Sequence, residues 1–85
     1  MKMYYVYVIQ SDKDKSTYIG FTGDLEKRLK EHNQGKTRST KSKKPYQLVY
    51  FEKFDSKTEA RKREIRLKKN SYAKEQLFKK IFEIK

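Results

Sequence analysis

The stretch MYYVYVIQ at residues 3–10 constrains this chain more than any other part of it. Tyr5, Tyr7 and Ile9 alternate with Tyr4, Val6 and Val8, and all six are good strand formers. A strand that is apolar on both faces loses its driving force when either face meets water, so this one belongs in the centre of a sheet.

Two further segments supply its neighbours. Residues 11–17, SDKDKST, read as a polar turn, and TYIGF at residues 17–21 folds back as the second arm of a hairpin in which Tyr7 and Tyr18 can share a face. YQLVYFEKF at residues 46–54 reads as a third strand, with Leu48, Tyr50 and Glu52 on one side and Val49, Phe51 and Lys53 on the other. Helical periodicity occupies what remains. Residues 24–34 form an amphipathic helix closed by Gly35, and SKTE at residues 56–59 is a capping box that opens a helix over 57–69. Ser71 is expected to cap a final helix over 72–84, whose Leu77, Phe78, Ile81 and Phe82 make an apolar face. The order β-β-α-β-α-α predicts an α+β domain, a three-stranded, largely antiparallel sheet flanked by three helices. At 85 residues the chain is expected to be one domain over 1–85.

The helices carry polar groups where apolar ones are expected. Winding the first helix from Leu25 puts Leu29 at about 40° and His32 at about 340°, so the chain's lone histidine lies inside the apolar stripe, with Arg28 at its edge. In the second helix Leu67 falls at about 340° from Ala60 and Glu64 at about 40°, a carboxylate between two apolar anchors. Burying that carboxylate alone would cost several kcal/mol, so Glu64 implies a bound cation, a paired arginine or a rim position open to water.

Charge narrows the class of partner. Lys and Arg number 23 against 11 Asp and Glu, a formal +12, which makes a polyanion the natural partner. The segment GKTRSTKSKKP at residues 35–45 has no large apolar side chain and reads as an exposed, mobile, basic loop. Lys36, Arg38, Lys41, Lys43 and Lys44, with Arg61 on the second helix, are the candidate nucleic-acid contacts, meeting phosphates and reading no sequence directly. With no cysteine and one histidine, disulfides and thiolate or multi-histidine metal sites are excluded, so a metal must sit on carboxylate and water. No apolar run approaches the roughly 20 residues that span a bilayer, and a cytoplasmic monomer is expected.

Tyr7, Tyr18, Arg28, His32 and Glu64 come from four elements and together make a phosphoryl-transfer set: proton acceptors, a fixed cation and a metal ligand. In this arrangement the chain resembles the GIY-YIG nuclease superfamily, in particular its small stand-alone bacterial members. Tyr5-Val6-Tyr7 stands at the first name-giving motif, without its glycine, and Tyr18-Ile19-Gly20 at the second. Arg28 and His32 match the arginine and the following histidine or tyrosine of the next helix, and Glu64 matches the metal-binding glutamate. Phe21 stands where some members carry a lysine, and Gln76 lies about where others have an asparagine.

The resemblance implies a divalent-metal-dependent endonuclease that hydrolyses phosphodiester bonds, in DNA more than RNA, with one Mg²⁺ or Mn²⁺ on Glu64 and weak or structure-directed specificity. It also implies that Arg28 holds charge developing on the phosphate and that Tyr7, Tyr18 and His32 position and deprotonate the attacking water. The alternative is a non-catalytic DNA- or RNA-binding module on the same fold; a third reading takes the charge as a means of solubility alone.

Overall fold

The computed structural model describes residues 2–83. Its elements are β1 (Tyr4–Ser11), β2 (Thr17–Thr22), α1 (Leu25–Asn33), β3 (Tyr46–Phe54), α2 (Lys57–Lys69) and α3 (Ser71–Phe82), with one 3-10 turn at Lys41–Lys43. The sheet runs β2-β1-β3 with both pairs antiparallel, so the doubly apolar strand is central as expected.

Each face of β1 has its own cover. Val6 and Val8 join Ile19 of β2 and Ala60, Leu67 and Leu77 of α2 and α3 in one buried cluster. Tyr7 and Ile9 join Tyr46 on the other face, packed against Tyr18, Leu48 and the α1 residues Leu25 and Leu29. Val6, Tyr7, Val8 and Ile9 are each at most 1% exposed, the outcome required of a strand with no polar face.

β3 departs from simple alternation. Tyr50 lies opposite Val8 and Leu48 opposite Ile9, which leaves Val49 as an extra residue in a β-bulge. Leu48 and Tyr50, expected on one side, are therefore on opposite faces: Leu48 packs in the α1 layer, while Tyr50 and Val49 pack against α2 and α3. The bulge gives both layers an apolar side chain from one short segment.

Caps set the helix ends. Asp24 accepts from Lys27 N at the start of α1, and Ser56 Oγ accepts from Glu59 N at 3.3 Å at the start of α2. Glu59, the other half of the expected capping box, turns outward to Lys62 at 4.0 Å. The cap of α3 is Asn70, whose Oδ1 accepts from Ala73 N at 3.0 Å; Ser71, expected in that place, is the first helical residue. Ile84, expected in α3, lies outside the described residues. Leu77 is buried and Phe78 and Ile81 are half-buried, while Phe82 stays largely exposed at the end of the apolar face.

The basic segment 35–45 is anchored rather than loose. Gly35 takes a φ of 77° to leave α1, a conformation that glycine adopts without a Cβ penalty. Asn33 then clamps Tyr46, accepting from its N at 2.6 Å and donating to its O at 3.1 Å. Ser11 Oγ at the end of β1 donates to Lys43 O at 2.6 Å and Thr40 in the middle of the segment is buried, so hydroxyl groups, not apolar side chains, hold it down. Among the described residues no helix is long and apolar enough to cross a membrane.

Candidate active site

Tyr7 and Tyr18 project from the same face of the hairpin toward α1. Tyr7 lies opposite Gly20 and Tyr18 opposite Ile9, which sets the two rings side by side with centroids 6.4 Å apart. Gly20 is what makes room: a Cβ on it would collide with the Tyr7 hydroxyl and ring. The glycine of the second motif is thus a packing requirement of the tyrosine in the first. Tyr5, at the first position of the first motif, needs no such space and lies edge-on to Phe51 at 6.0 Å.

His32 enters this cluster from α1. It is fully buried, with ring centroids 5.8 Å from Tyr7, 5.1 Å from Tyr18 and 6.1 Å from Tyr46. Its Nε2 is 2.8 Å from Tyr7 Oη, and its Nδ1 is 2.8 Å from Thr40 Oγ1, so an inward-facing histidine on α1 is fully satisfied. Burial, with the Arg28 charge, pulls the imidazole below its ordinary 6.5 against the opposing pull of Glu31, which keeps it neutral near neutral pH. Burial also pushes the Tyr7 hydroxyl up to about 12; a hydrogen bond and charge from Arg28 work the other way, and Tyr18 and Glu64 add to the rise. Tyr7 is therefore a phenol, not a phenolate, at neutral pH.

Arg28 lies one turn before His32 at the boundary with solvent, its side chain 34% exposed. Nη1 donates to Glu31 Oε1 at 2.9 Å, an anchor that leaves the rest of the planar fork to face Tyr7. Burial would weaken its charge, but its bond to Glu31 and its closeness to the Tyr7 hydroxyl outweigh that and push its pKa up.

Glu64 comes from the other layer. α2 buries Ala60 and Leu67, and Glu64 between them is at the rim with its side chain 18% exposed. Glu64 takes the rim position and is paired to Lys68, whose Nζ is 3.1 Å from Glu64 Oε2. The same ammonium lies 5.2 Å from the Tyr18 ring centroid. The structure thus brings Tyr7, Tyr18 and His32 into direct contact, sets Arg28 against Tyr7, and joins Glu64 to them through Lys68.

Glu64 suits one kind of metal. Among the described residues no three His, Cys, Asp or Glu side chains gather in a metal-binding cluster. A single rim carboxylate already holding a cation fits an ion that keeps most of its shell as water and phosphate oxygen, which is the habit of Mg²⁺.

Two residues of the site went unanticipated. Lys68 has a sequence signal, a Glu-to-Lys spacing of four on a helix. Thr40 has none, being one of several hydroxyls in a polar segment. The other sequence candidates lie outside the cluster. Gln76 lines a separate cleft with Tyr50, Glu52 and Arg63. Lys36, Arg38, Lys41, Lys43 and Lys44 are all exposed on the segment that carries Thr40, although Lys43 is paired to Asp14 at 3.4 Å. Arg61 is exposed on the outer surface of α2 beside Lys57, Lys62 and Ile65.

A family model described as the GIY-YIG catalytic domain matches residues 3–77. A UPF0213 protein of Staphylococcus haemolyticus is 42% identical over 84 residues, which cover 98% of this chain and 99% of the relative. The UPF0213 protein YazA of Bacillus subtilis is 41% identical over 76 residues, covering 88% of this chain and 76% of the relative. The solution NMR structure of a UPF0213 protein from Bacillus halodurans matches with a TM-score of 0.56 and 37% identity over 89% of this chain and 82% of that one. Since the matched span encloses Tyr7, Tyr18, Arg28, His32 and Glu64 alike, the chain belongs to the GIY-YIG family.

Proposed function

We propose that this protein is a divalent-metal-dependent endonuclease that hydrolyses phosphodiester bonds in nucleic acid, DNA in preference to RNA, with weak or structure-directed specificity. The observation that carries the reading is the buried 2.8 Å bond between Tyr7 Oη and His32 Nε2 beside Tyr18. A phenol held against a neutral imidazole is a proton acceptor in two parts: Tyr7 meets the attacking water and His32 takes the charge. As the water oxygen attacks phosphorus, its proton passes to Tyr7 Oη, the Tyr7 proton passes to Nε2, and the P–O3′ bond breaks with its electron pair going to the 3′ oxygen, which takes a proton from solvent. Tyr18 forms the wall beside this relay and orients the water. Arg28, anchored by Glu31 yet partly open to solvent, supplies donors for the charge that grows on the phosphate oxygens.

Glu64 would hold the Mg²⁺ or Mn²⁺. Bound there, the ion would contribute Lewis-acid stabilisation of the phosphate and the departing 3′ oxygen. The exposed cations of residues 36–44 give phosphate contacts that carry no sequence information, in keeping with weak specificity. The test is incubation of the protein with labelled single-stranded, duplex, flapped and branched DNA and matching RNA in Mg²⁺, Mn²⁺ or EDTA. Cleavage that needs the metal and is lost in Glu64→Ala supports the reading.

One observation favours the non-catalytic module instead: the Lys68 ammonium already occupies the Glu64 carboxylate. That reading expects salt-sensitive binding, unchanged in Glu64→Ala, and no turnover on any substrate.

A further inference from the structure

His32 has both ring nitrogens hydrogen-bonded and none of its surface exposed. A neutral imidazole has one donor and one acceptor nitrogen, and only one of its two tautomers lets Nε2 accept a proton from Tyr7. The groups at the two ends of the chain decide between them.

At the inner end, the Tyr7 hydroxyl has the guanidinium of Arg28 on one side, which has no acceptor capacity, and among the described residues His32 Nε2 is the one hydrogen-bond partner able to take its hydrogen. At the outer end, Thr40 Oγ1 lies 3.4 Å from the carbonyl oxygen of Thr37, which can only accept. A Thr40 hydrogen given to that carbonyl leaves the hydroxyl a lone pair for His32 Nδ1, 2.8 Å away. A cation beside Tyr7 and an acceptor-only carbonyl beside Thr40 favour one direction for the bonds between them, Tyr7 to His32 to Thr40 to Thr37.

We propose that Thr40 is a positioning residue that fixes His32 as the tautomer protonated on Nδ1, leaving Nε2 as the acceptor for the Tyr7 hydroxyl. Its side chain sits in a segment whose other residues include Lys36, Arg38, Lys41, Lys43 and Lys44, all exposed. The segment that would hold nucleic-acid phosphates is thus also the segment that sets the histidine. The tautomer itself is independent of the reaction; its use in activating water rests on the nuclease reading.

The chain has one histidine, so a ¹⁵N spectrum of labelled protein reports His32 without assignment by mutation. The expected wild-type spectrum has a protonated Nδ1 and an unprotonated Nε2. Thr40→Val, close in shape but without the hydroxyl, is expected to admit the Nε2-protonated form, and Thr40→Ser to restore the original. Cleavage is expected to fall roughly ten- to a hundredfold in Thr40→Val and to recover in Thr40→Ser, with nucleic-acid affinity held within about twofold. A wild-type histidine protonated on Nε2, or a Thr40→Val spectrum identical to wild type, overturns the proposal. A protein that shows the tautomer change but cuts no substrate upholds the role of Thr40 and overturns the nuclease reading.

Discussion

The relation between Tyr7 and Gly20 shows how one residue constrains another across a strand pair. Tyr7 needs the space above Gly20, so Gly20→Ala either displaces the ring or strains β2. We expect a loss of about 1–3 kcal/mol in urea unfolding, and with it the Tyr7–His32 bond. Removing only the Tyr7 hydroxyl is a finer cut: Tyr7→Phe keeps the ring and should lower cleavage at least about a hundredfold. It leaves Nε2 without its partner, at a cost of about 1–3 kcal/mol. The histidine also gives the protein a pH signature. Its folded pKa lies below the ordinary 6.5, so the unfolded chain takes up a proton that the folded one refuses. The stability due to His32 is complete above about pH 6.5 and declines as the pH falls below that value toward the lower folded one. Urea midpoints of wild type and His32→Asn compared between pH 7.5 and 5.5 should show the greater acid loss in wild type. The acid limb of cleavage should likewise lie below 6.5, because Nε2 stays free to accept a proton.

Elements were legible where periodicity is long and illegible where one hydrogen bond decides. β1 announced its central place because six alternating apolar residues leave no face for water. The stripes of α1 and α2 announced the unusual placement of His32 and Glu64: His32 is buried and Glu64 sits at the rim. The bulge at Val49 was hidden, since Leu48, Val49 and Tyr50 are all apolar and any register satisfies the composition. The cap of α3 was hidden for a similar reason: Asn70 and Ser71 are both good caps, and the backbone chooses the one with extended geometry. Asn70→Ala should therefore cost about 1 kcal/mol, whereas Ser71→Ala should stay within about 0.5 kcal/mol, both read from thermal unfolding. Thr40 escaped notice because its partner His32 is eight residues away, across a change of chain direction that no local pattern encodes.

At the scale of the whole molecule, the site forms where the two layers meet around the β2 side of the sheet. The α1 layer brings Arg28 and His32, the α2 layer brings Glu64, and Lys68 spans from α2 to Tyr18. The charge of +12 is unevenly useful. Lys36, Arg38 and Lys41 share the segment that carries Thr40, while Arg61 is on the outer surface of the opposite layer. Replacing those three together by alanine should lower the slope of log affinity against log salt by about 3, and Arg61→Ala should change it by less than about 1. The central claim is that Glu64 and the Tyr7–His32 pair act on a bound phosphate rather than merely holding the fold. The most direct test is single-turnover cleavage and affinity measured on one substrate in Mg²⁺ for wild type, Glu64→Gln and Tyr7→Phe. The account predicts metal-dependent cleavage by wild type, its loss in both variants and affinities within about threefold of one another. Cleavage undiminished in either variant, or wild-type binding with no cleavage at all, would contradict it.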